Sequence, residues 1–368
     1  MKRVYIYAYL AGNLGDDLMV RILCERYPET RFYVYANESY KERYKDIQNL
    51  KVYSPSDRIS KILDGLMRKV KKTNDGMWKT MVRLADATVY IGGSIFVHHF
   101  DDFRNVHGDL ELKRRSKRVY VVGANFGPYT DESFYEAYKE VFARYDHVCF
   151  RDTYSKGLFA DYSNVRYAPD VVFNYKLEKK VQQRKQVLFS VISLDERVGK
   201  FALCQYSEPY YRTMAKMADI FVEKGYMIKF VSFCQFQNDE GAIKKIIDRM
   251  SEEYKKSVSE IYYDTNYKEI VESFAESEII VGTRFHSVIL GWLTEKKVLP
   301  VVYDQKIMHT LEDNDFKMYV KMSDLEEMTD QDIEDRIDKV IDSTPFAAGD
   351  LVKEAEKQFS DLDDFLKS

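Results

Sequence analysis

Ile279-Ile280-Val281-Gly282-Thr283-Arg284-Phe285-His286-Ser287-Val288-Ile289-Leu290 reads as a strand, a turn and the start of a helix. The aliphatic triplet Ile279–Val281 predicts a buried strand. Gly282 and Thr283 make the turn, and the apolar run Val288–Leu290 marks the helix behind it. Arg284 and His286 fall at the helix start, where unpaired N–H groups and the positive dipole end favour an anion. An arginine fork beside a titratable imidazole suits an anion that also needs a proton moved. Arg-x-His alone is better explained as a capped helix with incidental polar residues. Its place at the carboxyl end of a strand favours function, because open α/β sheets bind ligands there.

The same alternation runs outward in both directions. Upstream, strands are expected at Val4–Tyr9, Arg31–Ala36, Thr88–Ile91, Arg118–Gly123 and His147–Phe150, with helices over Asp16–Tyr27 and Glu132–Tyr145. The polar, charged stretch Tyr175–Gln186 interrupts the pattern, which restarts with strands at Val187–Ile192, Met227–Ser232, Ile279–Val281 and Val298–Val302. Helices are expected between them, over Tyr210–Lys224, Glu240–Met250 and Tyr267–Ala275, and Gln331–Ile341 and Asp350–Leu366 form a charged helical tail. Strand-helix alternation predicts parallel sheets covered on both faces. The expectation is an α/β chain of two Rossmann-like domains facing a cleft. Residues 1–175 form the first domain, 176–186 the linker and 187–345 the second, and 346–368 form a C-terminal helix that returns to the first domain.

Composition narrows the function classes. The 368 residues carry a net charge of −4, so no broad basic field invites nucleic acid. The four cysteines, Cys24, Cys149, Cys204 and Cys234, have no CxxC spacing and predict neither a zinc site nor a disulfide framework. The chain starts directly as a strand without a signal-peptide pattern, and no run of about 18 apolar residues could span a membrane. A cytoplasmic protein is expected. Segment Arg58–Lys72 is amphipathic, with Ile59, Ile62, Leu63, Leu66, Met67 and Val70 on one stripe and a basic flank. It reads either as a helix packed on a sheet or as a surface resting on anionic lipid at the inner membrane face.

Other strand ends carry candidate chemistry. Gly12-Asn13-Leu14-Gly15-Asp16-Asp17 follows the first strand; its glycines permit close approach, one aspartate caps a helix, and the other is a candidate base. It is not GxGxxG, so a dinucleotide is poorly supported. Gly92-Gly93-Ser94 also follows a strand, with His98 and His99 just beyond. The histidines lack further ligands at metal spacing, so no metal site is expected. Arg151 ends another strand as a second anion clamp, with Asp170 placed to orient it or to hold a hydroxyl. Lys306 is a third cation near the Arg284–His286 turn.

In order, Gly12–Asp16, Gly92-Gly93, Gly123–Pro128, Phe150-Arg151-Asp152 with Ser155, Ala168-Pro169-Asp170, Thr283–Ser287 and Pro300–Lys306 resemble the motifs of the polysaccharide pyruvyl transferase family. Ser94 departs from the third glycine often found after the Gly-Gly pair. The resemblance implies a GT-B-like fold. It also implies transfer of a pyruvyl group from phosphoenolpyruvate to two hydroxyls of one sugar, giving a cyclic ketal and phosphate, with no cofactor. Acceptors of such enzymes belong to capsules, exopolysaccharides and cell-wall polymers, and a lipid-linked saccharide would suit a peripheral membrane contact. Arg284 and Arg151 would hold the donor, helped by Lys306, Asn13, Gly15, Gly92, Gly93 and Ser287. His286 would be the acid, and Asp16 or Asp170 the base. The rival readings are a sugar-nucleotide glycosyltransferase of the same fold and a non-catalytic binding module.

Overall fold

The computed structural model describes residues 1–73, 75–177 and 181–367. The chain forms two compact units: Met1–Leu10 with Asp16–Asn174 and Glu354–Ser368, and Ala11–Gly15 with Tyr175–Lys353. The expected linker 176–186 lies in part, at 178–180, outside the described residues. Three boundaries differ from the sequence reading. The second unit starts at Tyr175 rather than at 187 and so takes in the expected linker. Ala11–Gly15 counts with the second unit, and the return to the first unit comes at Glu354 rather than at 346.

The first unit holds β1 (Arg3–Ala8), β2 (Arg31–Tyr35), β3 (Leu50–Tyr53), β4 (Ala87–Ile91), β5 (Val119–Ala124), β6 (His147–Phe150) and β7 (Val165–Tyr167). They form one parallel sheet in the order β3-β2-β1-β4-β5-β6-β7. Every residue of β4 and β5 is buried. Strands covered on both faces read as continuous apolar runs rather than as alternation, as Thr88-Val89-Tyr90-Ile91 does. An aromatic core packs beside the sheet, with Phe142 edge-on to Phe96 at 4.9 Å and to Phe159 at 4.7 Å. Such pairs add roughly 0.5–1.5 kcal/mol beyond the area they bury.

The tail completes this unit from Glu354 onward. It is helical in two pieces, Gly349–Ala355 and Ser360–Leu366, joined by a tighter turn over Glu356–Phe359. From that turn the buried Gln358 amide donates to the carbonyls of Ala168 (2.7 Å), Pro169 (3.1 Å) and Phe150 (3.3 Å) and accepts from the Gly123 N–H at 2.8 Å. One side chain thereby satisfies the Gly123 N–H and the Ala168 and Pro169 carbonyls, and adds a second donor to the Phe150 carbonyl, which also accepts from the Ala168 N–H at 3.0 Å.

The second unit holds β8 (Gln186–Ser190), β9 (Met227–Ser232), β10 (Val258–Tyr262), β11 (Ile279–Gly282), β12 (Lys297–Val302) and β13 (Val320–Lys321). The order is β10-β9-β8-β11-β12-β13, again parallel throughout. Its core joins Phe189, Phe221 and Phe230 to aliphatic and methionine side chains of the flanking helices. All four cysteines are free. Among the described residues no helix is long and apolar enough to cross a membrane.

Candidate functional site

The second sheet changes direction of strand order between β8 and β11, the position where open α/β sheets collect ligands. β11 ends at Gly282, and the helix Phe285–Leu293 starts after Arg284, whose extended backbone (φ −68°, ψ 133°) makes it the N-cap. Thr283 is held from two sides. Its N–H donates to the Ser190 carbonyl at 2.8 Å, and its hydroxyl pairs with the buried Tyr210 hydroxyl at 2.9 Å. Ser287 was expected at the ligand, but it is fully buried and its hydroxyl donates to the Arg284 carbonyl. There it closes the first turn of the helix.

Arg284 is buried and grips the fully buried Asp239 side-on, through Nε at 3.0 Å and through Nη2, while Nη1 donates to Gln237. Burial works against the guanidinium charge, yet Asp239 more than reverses this and the net shift of Arg284 is upward. Among the described residues these bonds take three of its five N–H donors, leaving one on each terminal nitrogen for a ligand. Asp239 is fixed in turn by the N–H groups of Phe233 and Cys234, both at 3.0 Å.

His286 lies two residues on, in the first turn of the helix, and its position depends on a glycine far away in sequence. A Cβ built on Gly15 would stand 2.6 Å from His286 Cε1 and closer still to Nδ1 and Cγ. The imidazole thus occupies the space a side chain at 15 would need. Gly15 is itself anchored: its N–H donates to Asn13 Oδ1 at 2.9 Å, and the Leu14 N–H donates to the Phe233 carbonyl at 3.0 Å. Asn13 also bridges to Cys234, which places Ala11–Gly15 beside the end of β9.

Two further cations flank Tyr303, just past β12. Lys306 Nζ lies 5.6 Å from the ring centre and pairs with Asp304 at 3.2 Å. The Arg197 guanidinium lies 5.4 Å from the same ring and donates to Gln237 at 3.2 Å. Burial alone would raise the Tyr303 phenol, but Lys306, Arg197 and Arg284 together bring it below its ordinary value. The unit therefore gathers Arg284, Arg197 and Lys306 with one imidazole and one acidified phenol at adjoining strand ends.

The first unit has its own group. Arg151, buried at the end of β6, donates through Nη1 to Asp170 at 3.0 Å and through Nη2 to Asn125 at 2.6 Å. Asp170 accepts a second bond from the Val172 N–H at 2.8 Å. A Cβ on Gly93 would come within 2.7 Å of Arg151 Cζ and Nη2, so the guanidinium lies directly against that backbone. Asp16 Oδ1 is 3.9 Å from the Cβ position of Gly92. Its neighbour Asp17 is fully buried and accepts from Tyr44 at 2.9 Å, so Asp17 is the structural member of the pair. His98 is likewise structural, with its ring stacked on Phe134 at 4.6 Å.

Of the sequence-derived residues, Asn13, Gly15, Arg284, His286, Ser287 and Lys306 thus belong to one unit, and Asp16, Gly92, Gly93, Arg151 and Asp170 to the other. The reading missed Asp239, Gln237, Arg197, Tyr303 and Asn125. Asn125 lies inside the quoted Gly123–Pro128 stretch, and Asp239 and Tyr303 follow strands β9 and β12, so the strand-end rule applied to every strand finds them.

Two Rossmann-like units, each built on a parallel sheet with polar and charged residues at its strand ends, define the GT-B class of fold. Solved structures agree. S. aureus MnaA in its co-structure with UDP superposes with a TM-score of 0.60 at 11% identity, covering 100% of this chain and 97% of that one. Anabaena HepE in complex with UDP and glucose gives 0.60 at 10% identity and 100% of both chains. The UDP-GlcNAc 2-epimerase from Methanocaldococcus jannaschii gives 0.58 at 12% identity, covering 98% and 99%. At these identities the likeness speaks for the fold alone. Residues 13–305 match the family model for polysaccharide pyruvyl transferase, and the chain belongs to that family of enzymes. It is also 21% identical to the amylovoran biosynthesis protein AmsJ of Erwinia amylovora, over 93% of this chain and 92% of that protein.

Proposed function

We propose that the protein transfers pyruvate from phosphoenolpyruvate to two hydroxyls of one sugar, in a bacterial polysaccharide or its lipid-linked precursor, within the cytoplasm. The observation that carries this reading is that Arg284 and Arg197 share Gln237 while Arg197 and Lys306 flank Tyr303, with His286 two residues beyond Arg284. Phosphoenolpyruvate carries a carboxylate and a phosphate on a small carbon frame, so several fixed cations and one proton donor are what its recognition requires.

The bond changes assign roles. A sugar hydroxyl adds to the central carbon of the enol while His286 delivers a proton to the terminal methylene, which becomes the methyl group. Asp16 accepts the hydroxyl proton. Asp170, already engaged by Arg151 and the Val172 N–H, serves to orient Arg151 on the substrate. Phosphate then leaves with its charge met by the cations and takes up the proton held by Asp16, and the second hydroxyl closes the ketal on the oxocarbenium-like carbon as its own proton returns to His286. The sum is one diol plus phosphoenolpyruvate giving one ketal plus phosphate, with no change of oxidation state.

Thermal unfolding with phosphoenolpyruvate, for wild type and Arg284→Ala, tests the donor. A binding ligand raises Tm by mass action. A rise in wild type that is lost in Arg284→Ala is expected. A rise with a nucleotide sugar and none with phosphoenolpyruvate would overturn the reading in favour of glycosyl transfer.

A further inference from the structure

The helix Arg58–Lys71 carries one acidic residue, Asp64, and the structure turns it inward. Its carboxylate accepts from the Tyr35 hydroxyl at 2.9 Å and from the Met77 N–H at 2.8 Å. Ser60 is buried on the same side, and Leu63 packs against the core. The opposite side carries Ile59, Ile62, Leu66 and Val70 at 52%, 54%, 57% and 76% exposure. Their spacing of three, four and four residues places them on a single stripe. Arg58, Lys61, Arg68, Lys69 and Lys72 are exposed along it. The outward face therefore combines aliphatic side chains with positive charge only, on a chain whose net charge is −4.

We propose that this helix is a docking surface for an anionic lipid bilayer, with the four aliphatic side chains entering the headgroup–acyl boundary and the basic residues meeting lipid phosphates. Charge complementarity selects the occupant, because an all-cationic flank beside an apolar stripe suits a sheet of anionic headgroups. Size selects it too. A helix of this length offers a strip about 21 Å long and about 10 Å wide, roughly 200 Å². A stable protein interface needs about 800 Å² from each partner. A fluid bilayer has no such threshold and takes up convex apolar side chains without a matching groove. The surface reading goes beyond the transfer reading, and its test reads binding rather than turnover.

The test is co-sedimentation of the full chain with phosphatidylcholine vesicles, with and without about 30 mol% phosphatidylglycerol. Anionic vesicles should capture the wild type and neutral ones should not, with capture falling as salt rises. Lys61→Glu combined with Lys69→Glu should weaken capture by roughly 25-fold or more, from about fivefold for each surface cation lost. Ile62→Ser combined with Leu66→Ser should weaken it at every salt concentration, which separates insertion from charge attraction. These positions are solvent-exposed, and circular dichroism checks that the variants fold. Equal capture of variants and wild type, or no capture by anionic vesicles at low salt, overturns the proposal. So does a vesicle-free dimer that the double serine variant converts to monomer, since a second copy would then cover the stripe.

Discussion

Replacing Gly15 by alanine adds one methyl group and tests whether the position of His286 matters for turnover. The new Cβ would lie 2.6 Å from His286 Cε1, where ordinary contact starts at 3.4 Å. The difference, 3.4 − 2.6, requires the ring to withdraw by about 0.8 Å at that atom and further at Nδ1. Gly15 sits in the first turn of the helix Leu14–Arg26, where alanine is the better helix former by about 1 kcal/mol, so the backbone itself loses nothing. A misplacement near 1 Å of a proton-transfer group costs on the order of 100-fold in rate. The expected result is a kcat about 100-fold below wild type for phosphate release from phosphoenolpyruvate in the presence of a saccharide acceptor. KM for the donor should change much less, because Arg284 and Lys306 are untouched. Tm should stay within a few degrees of wild type. A Gly15→Ala enzyme with wild-type kcat would refute both the steric reasoning and the role given to His286.

Four other perturbations give distinct outcomes. Gly93→Ala should displace Arg151, whose Cζ and Nη2 lie within 2.7 Å of the new methyl, and lower kcat/KM by at least about tenfold; steady-state kinetics unchanged from wild type would refute it. Asp239→Asn should cost about 3–5 kcal/mol in urea unfolding, because it leaves Arg284 buried with its charge uncompensated, and it should raise donor KM; a loss under about 1 kcal/mol would contradict the buried pair. Gln358→Leu should destabilise the protein by about 3 kcal/mol, since the Ala168 and Pro169 carbonyls and the Gly123 N–H lose their partner, again read by urea unfolding. Burial raises the Asp109 carboxyl to about 7, with the Tyr138 hydrogen bond offsetting only part of that rise. An unfolded chain binds the same proton near about 3.9, so the linked stability is fully present below that pH. It is lost as pH climbs through about 7, by roughly 4 kcal/mol in all. Asp109→Asn should therefore raise Tm relative to wild type more at pH ~8 than at pH ~5, and an equal difference at both would contradict this sign.

The strands that sequence reading found and those it missed differ physically. β1, β2, β4, β5, β6, β8, β9, β11 and β12 were legible as apolar runs, with ends off by a residue or two. The strands it missed are β3, β7, β10 and β13, which are the edges of the two sheets. An edge strand pairs on one side only and is partly solvated, as the exposed Lys51, Arg166, Glu260 and Lys321 show. Such strands form because a completed neighbour offers hydrogen bonds, and no periodicity records that. The site followed the same division. Arg284, His286 and Arg151 announce themselves by chemistry at strand ends. Asp239 and Asn125 matter because of what they hold, which depends on long-range packing. Gly15 could be read as permissive backbone, but its partner His286 is visible only in three dimensions.

The Gln358 amide has a consequence for the order in which the polypeptide is made. The second unit runs without interruption from Tyr175 to Lys353, apart from Ala11–Gly15. The residue that satisfies the carbonyls of Ala168 and Pro169 is translated only after that whole stretch. A nascent chain arrested before Glu354 therefore carries every strand of the first sheet yet lacks the plug at its carboxyl edge. Vectorial synthesis, which usually supplies the whole N-terminal unit first, here supplies the last residue that seals the first unit only after the second unit has been made.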